Sequence, residues 1–237
     1  MDPELTIEQV DVNGDVRETA HDAMHALESR GDTRLGFLKK AGLAGGAVMG
    51  GGALLTALTP AAAIAAGKGR PPASFGKGDI GILNYALTLE YLEAAFYNEA
   101  TANNVASGAQ ESAFLKQVTS DENAHVKFLK KALGSKATSA PKVDFGDATS
   151  KAKWLPTSMV LENTGVKAYG GQALNIKSPV YISAALSIWA VEARHASVAG
   201  LLVAPQSKNI SPEKGPFQTT ATAAEILKAV EGTGFLV

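Results

Sequence analysis

From Lys77 onward the apolar positions recur at the 3-4 spacing of helices that bury one face, in four successive segments. The first, about 80–103, aligns Leu83, Leu87, Glu90, Ala94 and Tyr97. The second, about 108–134, aligns Leu115, Val118, Glu122, His125 and Leu129, opens on Ser107 and Gln110 as a capping box, and stops at Gly134. The third, about 153–174, carries Leu155, Met159, Glu162, Val166, Tyr169 and Ala173. The fourth starts at Ser178-Pro179, a cap followed by proline at the first helical position, and carries Ala185, Ile188, Glu192, His195, Ala199 and Leu202.

Short links join segments one and two and segments three and four, so each pair is expected to form an antiparallel hairpin. Residues 135–152 form a longer connection bearing Pro, Gly and Ser. The expected fold is all-α: a four-helix bundle over 78–204 with one long crossover between its second and third helices. Residues 205–237 then read as a C-terminal extension with a short helix, opened by a capping box of Thr222 and Glu225 and ended at Gly232.

The segment before the bundle is unlike it. Residues 1–33 form an acidic extension whose His21 and His25 read as surface residues. Residues 34–67 begin with Arg34, Lys39 and Lys40 and continue through 27 uncharged residues, Ala41 to Gly67, ending in small residues that fit an A-x-A cleavage site. This is the layout of an export signal, and 41–66 is long enough to serve instead as an uncleaved membrane anchor. The stretch from Thr33 to Lys40 resembles a twin-arginine signal in which Leu35 replaces the second arginine. The chain is expected to be exported to the cell envelope or beyond.

Composition narrows the chemistry. With no cysteine among 237 residues, disulfides, thiolate metal sites and cysteine nucleophiles are excluded. From Lys68 onward 17 bases face 14 acids without a basic run, which is too weak a surplus for nucleic-acid binding.

Each helical segment places an acid within its apolar stripe, and none places Lys or Arg there. Buried carboxylates at equivalent depth need a shared cationic partner, and two divalent metal ions would supply it. Glu122-x-x-His125 and Glu192-x-x-His195 each put a carboxylate and an imidazole on one helix face. The other two segments pair Glu90 with Tyr97 and Glu162 with Tyr169, so the order Glu…Tyr, Glu-x-x-His occurs twice. Glu90, Glu122, His125, Glu162, Glu192 and His195 are therefore the expected metal ligands.

Glu93, one turn from Glu90, competes with it. Glu90 is preferred because it falls on the Leu83, Leu87, Ala94 stripe. Asp121 is expected to accept a hydrogen bond from the non-ligating nitrogen of His195, with no equivalent at Val191, so that the two metals would have unequal surroundings. Tyr97 and Tyr169 read as core aromatics whose hydroxyls bond a carboxylate or water, and Arg194 and Trp189 as structural residues.

In LNYALTLEYLEAAFYNEA and LENTGVKAYGGQA, and in all six ligand positions, residues 79–232 resemble the ferritin-like domain family that includes desiccation-related proteins. The resemblance implies a bundle with a carboxylate-bridged dimetal centre, commonly iron, and an oxidative or stress-protection role. It does not imply a rubredoxin-like module, which needs cysteine, or a cage; a smaller oligomer remains compatible with it. The leading expectation is a protein that binds two iron ions and oxidises Fe(II) with dioxygen or hydrogen peroxide. The alternatives are manganese-catalase-like peroxide disproportionation on two manganese ions, and an envelope or stress-protection scaffold whose metal site is structural or vestigial.

Overall fold

The computed structural model describes residues 69–204 and 218–237, so the expectations for 1–33, 34–67 and the polar stretch 205–217 lie outside the described residues. Four long helices form the bundle: α1 Gly78–Ala102, α2 Gly108–Leu133, α3 Trp154–Gln172 and α4 Pro179–Val203. A short helix, α5 Ala223–Thr233, follows. Among the described residues β structure is limited to one antiparallel bridge, Val143 to Leu236.

Helix α1 packs mainly on α2, and α3 on α4, as two hairpins. The hairpins meet through α1 with α3 and α2 with α4. Cross-hairpin contacts run in opposite chain directions: Tyr97 reaches Glu162 and Ser158, whereas Tyr169 reaches Glu90. This antiparallel register puts Glu90, Glu122, Glu162 and Glu192 at one level. Two apolar clusters close the bundle above and below that level, one around Phe96, Phe114 and Trp154, the other around Leu83, Leu87, Leu129 and Ile188. Burying these side chains supplies the main stabilisation and keeps water from the polar waist between them.

The expected stripes are buried except at Met159, Ala173 and Leu202, which are only half-buried. Helix α1 departs from a single stripe, since Tyr85, Leu89, Leu92, Glu93 and Phe96 on its other faces are buried as well. The crossover and the C-terminal segment cover it. Phe145 of the crossover packs edge-on against both Phe96 and Phe235, and Asp144 and Val237 tie the two segments by backbone hydrogen bonds to Phe235 and Lys142. Buried Asn84 anchors the start of the crossover: its amide donates to the carbonyls of Phe75 and Lys136, and its oxygen accepts from the Thr138 N–H.

Helix ends follow local chemistry, with two corrections. The Thr222–Glu225 capping box opens α5, but the helix continues to Thr233 and ends on left-handed Gly234 rather than at Gly232. At α2 the Ser107 side chain makes no capping bond; the Ser107 N–H instead donates to Glu111 at 2.7 Å, not to Gln110. Gly108 has a φ of 83°, which displaces the first regular turn by one residue and brings Glu111 into the capping position. Gly171 permits the close approach of the C-terminal segment, because a Cβ there would collide with the Ala221 carbonyl.

Helix α4 is by length and composition apolar enough to cross a membrane. In the bundle its Ala185, Ile188, Glu192, His195 and Ala199 face the interior, while Leu186, Val198 and Leu201 are exposed on its outer side.

Candidate metal centre

Glu90, Glu122, Glu162 and Glu192 are each 0% exposed, and His125 and His195 are buried beside them. No lysine or arginine is buried among the described residues. The six side chains form two overlapping groups, each able to hold a metal ion. One consists of Glu90, Glu122, His125 and Glu192, and the other of Glu122, Glu162, Glu192 and His195. Within each group the ligand atoms lie within 4.8 Å of one another. Glu122 and Glu192 belong to both, so they are the residues placed to bridge two ions; Glu90 with His125 and Glu162 with His195 close the two ends.

The histidines present the same nitrogen to the acids. His125 Nδ1 is 3.0 Å from Glu122, 3.2 Å from Glu90 and 3.4 Å from Glu192. His195 Nδ1 is 3.0 Å from Glu122 and 3.2 Å from Glu162. Yet Glu122 Oε1, Glu162 Oε2, both Glu192 oxygens and His195 Nδ1 are buried without a hydrogen-bond partner despite these short distances. Buried polar atoms are rarely left in that condition. Lone pairs from four carboxylates and two imidazoles converging on one buried space are what a pair of hard or borderline divalent cations requires, and the donor set fits such a pair.

Electrostatics agree with that fit. Burial pushes the Glu192 carboxyl well above the usual range, and the neighbouring carboxylates of Glu122, Glu162 and Glu90 push it further. Burial, opposed by the two histidines, raises Glu122 to about 7. For His195, burial favours the neutral ring, but Glu122 and Glu162 outweigh it and raise the imidazole to about 11. His125 is raised in the same way by Glu90, Glu122 and Glu192 against the effect of burial. Glu90 is lowered, the charge on His125 overcoming its burial. Without a metal, protons neutralise the cluster; cations would displace them.

The surrounding groups are ordered by hydrogen bonds. Tyr97 donates to Glu162 and is bonded in turn to Ser158 at 2.6 Å, while Tyr169 donates to Glu90. Burial and the adjacent carboxylates raise both phenols well above their ordinary value, so they remain donors. Asp121 Oδ2 lies 3.0 Å from His195 Nε2 and also accepts from Gln117. Val191, at the corresponding position before Glu192, offers no acceptor. Trp189 donates to the Val166 carbonyl at 3.1 Å, whereas Arg194 is exposed and has no hydrogen bond to another described residue.

Two features go beyond the reading of the sequence, which weighed Glu93 only as a rival to Glu90. Glu93 is 3% exposed and forms a fifth buried carboxylate, raised well above its ordinary range by burial and by Glu192, Glu162, Glu122 and Glu90. It lies outside both ligand groups. The signal was the second apolar face of α1, Leu89, Leu92 and Phe96, which flanks it. The other feature is Gly165: a Cβ there would stand 2.5 Å from Glu192 Oε2 and 3.4 Å from Glu93 Oε1. A glycine lets α3 pass this close to a shared ligand without displacing its carboxylate.

An all-α bundle with two Glu-x-x-His helices and two further glutamates at its waist has the architecture of a dimetal-carboxylate protein. The profile of the ferritin-like domain family matches residues 78–205, more than half the chain, and the chain belongs to that family. Comparison with curated proteins returns no significant match.

Proposed function

We propose that the chain holds two iron ions at this centre and oxidises Fe(II) with dioxygen or hydrogen peroxide, acting in oxidative or desiccation stress outside the cytoplasm. The observation that carries the reading is the pair of four-residue ligand groups sharing Glu122 and Glu192. Iron, when bound, would supply the reaction with the oxidant that the carboxylates and imidazoles do not. Glu122 and Glu192 balance charge between the two positions, and Glu90 and Glu162 are held in place by Tyr169 and Tyr97. Asp121 fixes the ring of His195, and the apolar clusters on either side limit entry of bulk water.

Elemental analysis of the purified full chain, followed by oxygen and peroxide consumption after loading with Fe(II) or Mn(II), tests the proposal. Two irons per chain with consumption of oxidant, lost in Glu122→Ala and His195→Ala, is the expected result. Peroxide disproportionation with manganese alone would replace iron in the reading, and no stoichiometric metal would overturn it. Export through 34–67 is tested separately by fusing residues 1–70 to a reporter that is active only outside the cytoplasm.

A further inference from the structure

Beside the centre, α2 and α4 leave a groove of about 1050 Å³ that ends at His195 and Asp121. Phe114 from α2 and Val198, Leu201 and Leu202 from α4 line it. Val198 and Leu201 are 40% and 41% exposed, so the α4 side of the groove shows apolar side chains to solvent, facing Gln110, Glu111 and Gln117 on α2. At the end nearest the centre stands Arg194, exposed and without a hydrogen-bond or carboxylate partner among the described residues. The acids nearby are already engaged: Asp121 by Gln117 and His195, and Glu111, which lines the groove beside Ser107, by the Ser107 N–H.

An unpaired guanidinium at one end of an apolar trough defines a ligand of matching polarity. We propose that this groove binds a medium-chain fatty acid, with its carboxylate on Arg194 and its alkyl chain along Phe114, Val198, Leu201 and Leu202. A planar guanidinium holds a carboxylate by two parallel hydrogen bonds. A dianionic head group is disfavoured, because Arg194 is the one lysine or arginine lining the groove and the carboxylates of Asp121 and Glu111 line it as well. From Arg194 to Leu202 the helix rises about 12 Å, which an acyl chain of medium length spans while covering the apolar wall. A volume of this order also exceeds what dioxygen or peroxide needs. The groove stands on Arg194 and apolar side chains rather than on the metal ligands, so the inference is independent of the iron reading.

Calorimetric titration of the full chain with dodecanoate, below its micelle concentration, tests the proposal on metal-depleted and metal-loaded protein. The expected result is one saturable site in both forms. Arg194→Gln should weaken it about tenfold or more, as loss of a charge-assisted pair predicts. Leu201→Asp should weaken it similarly, and dodecanol should bind the wild type more weakly than dodecanoate but Arg194→Gln equally well. Both substituted positions are exposed, and circular dichroism verifies that the variants fold. Absence of saturable binding, undiminished binding in Arg194→Gln, or adsorption to lipid vesicles without binding of free dodecanoate would overturn the proposal. Failure of the chain to bind metal would leave the dodecanoate site standing, so the two readings fail separately.

Discussion

His195 is held at both ring nitrogens, its Nε2 lying 3.0 Å from the Asp121 carboxylate on α2 while its Nδ1 faces Glu122 and Glu162. Asp121 therefore sets the direction in which this ligand points. Its removal in Asp121→Ala should weaken binding at the Glu162–His195 position by about 10–100-fold. The Glu90–His125 position should change little, and a stepwise metal titration separates the two. Equal loss at both positions, or none, would contradict the assigned role.

The proton content of the cluster dictates how binding responds to pH. His195 is raised to about 11 and His125 is also raised, so both imidazoles hold protons at neutral pH without metal, and burial with the neighbouring carboxylates favours the protonated form of Glu192. A bound ion must displace them, and metal competes better as protons become scarcer. Affinity should rise with pH from 5 to 8, by about tenfold per unit for each proton released. Chelator-competition titrations across that range measure the slope, and a flat profile would show that the ligands are already deprotonated.

Glu93 and Glu122 should answer substitution differently. Burial and the neighbouring carboxylates favour the neutral form of Glu93, which lies outside both ligand groups, and Glu93→Gln puts a neutral group of similar shape there. Metal stoichiometry should be retained. Glu122→Ala removes an oxygen donor from both groups and should abolish stoichiometric binding of either ion, as read by elemental analysis.

Gly165 is where backbone and ligand crowd each other. In Gly165→Ala the new methyl group would meet Glu192 Oε2 at 2.5 Å, so the carboxylate must move. Alanine gains about 1 kcal/mol of helix propensity while overpacking costs about 1–3 kcal/mol. Thermal stability should consequently change by only a few degrees, while binding of the second metal ion is impaired. Calorimetry and metal analysis of the same sample check both parts.

Tyr97 and Tyr169 form a crossed pair, each donating from one hairpin to the glutamate of the other. Tyr169→Phe leaves a Glu90 oxygen without its donor at a buried position, a loss of about 1–3 kcal/mol. The metal-free protein should melt several degrees lower, as thermal unfolding reports.

Much of this site was legible before any coordinates. A period of 3.6 residues assigns each side chain a direction around its own helix, so the stripes holding Glu90, Glu122, His125, Glu162, Glu192 and His195 could be written from spacing alone. Chain connectivity then implied two hairpins and a crossover, and the four helices follow that plan. What periodicity lacks is any knowledge of neighbours. It treats each helix as having one buried face, whereas α1 is enclosed on several sides by the crossover and the C-terminal segment, and Glu93 is buried as a result. Nor does it give exposure: Arg194 adjoins buried His195 in sequence, and one step along the helix turns it to the solvent.

The sequence by itself determined which residue types face inward and that their charge needs compensation, by protons or by cations, since both follow from local geometry and the cost of burying carboxylates. The tertiary structure alone decided that Glu122 and Glu192 are shared between the two ligand groups, that α3 passes Glu192 at Gly165, and that α2 and α4 part to leave a groove beside His195. These depend on the distance and register between helices, set by how whole side chains pack across the bundle and encoded in no single segment.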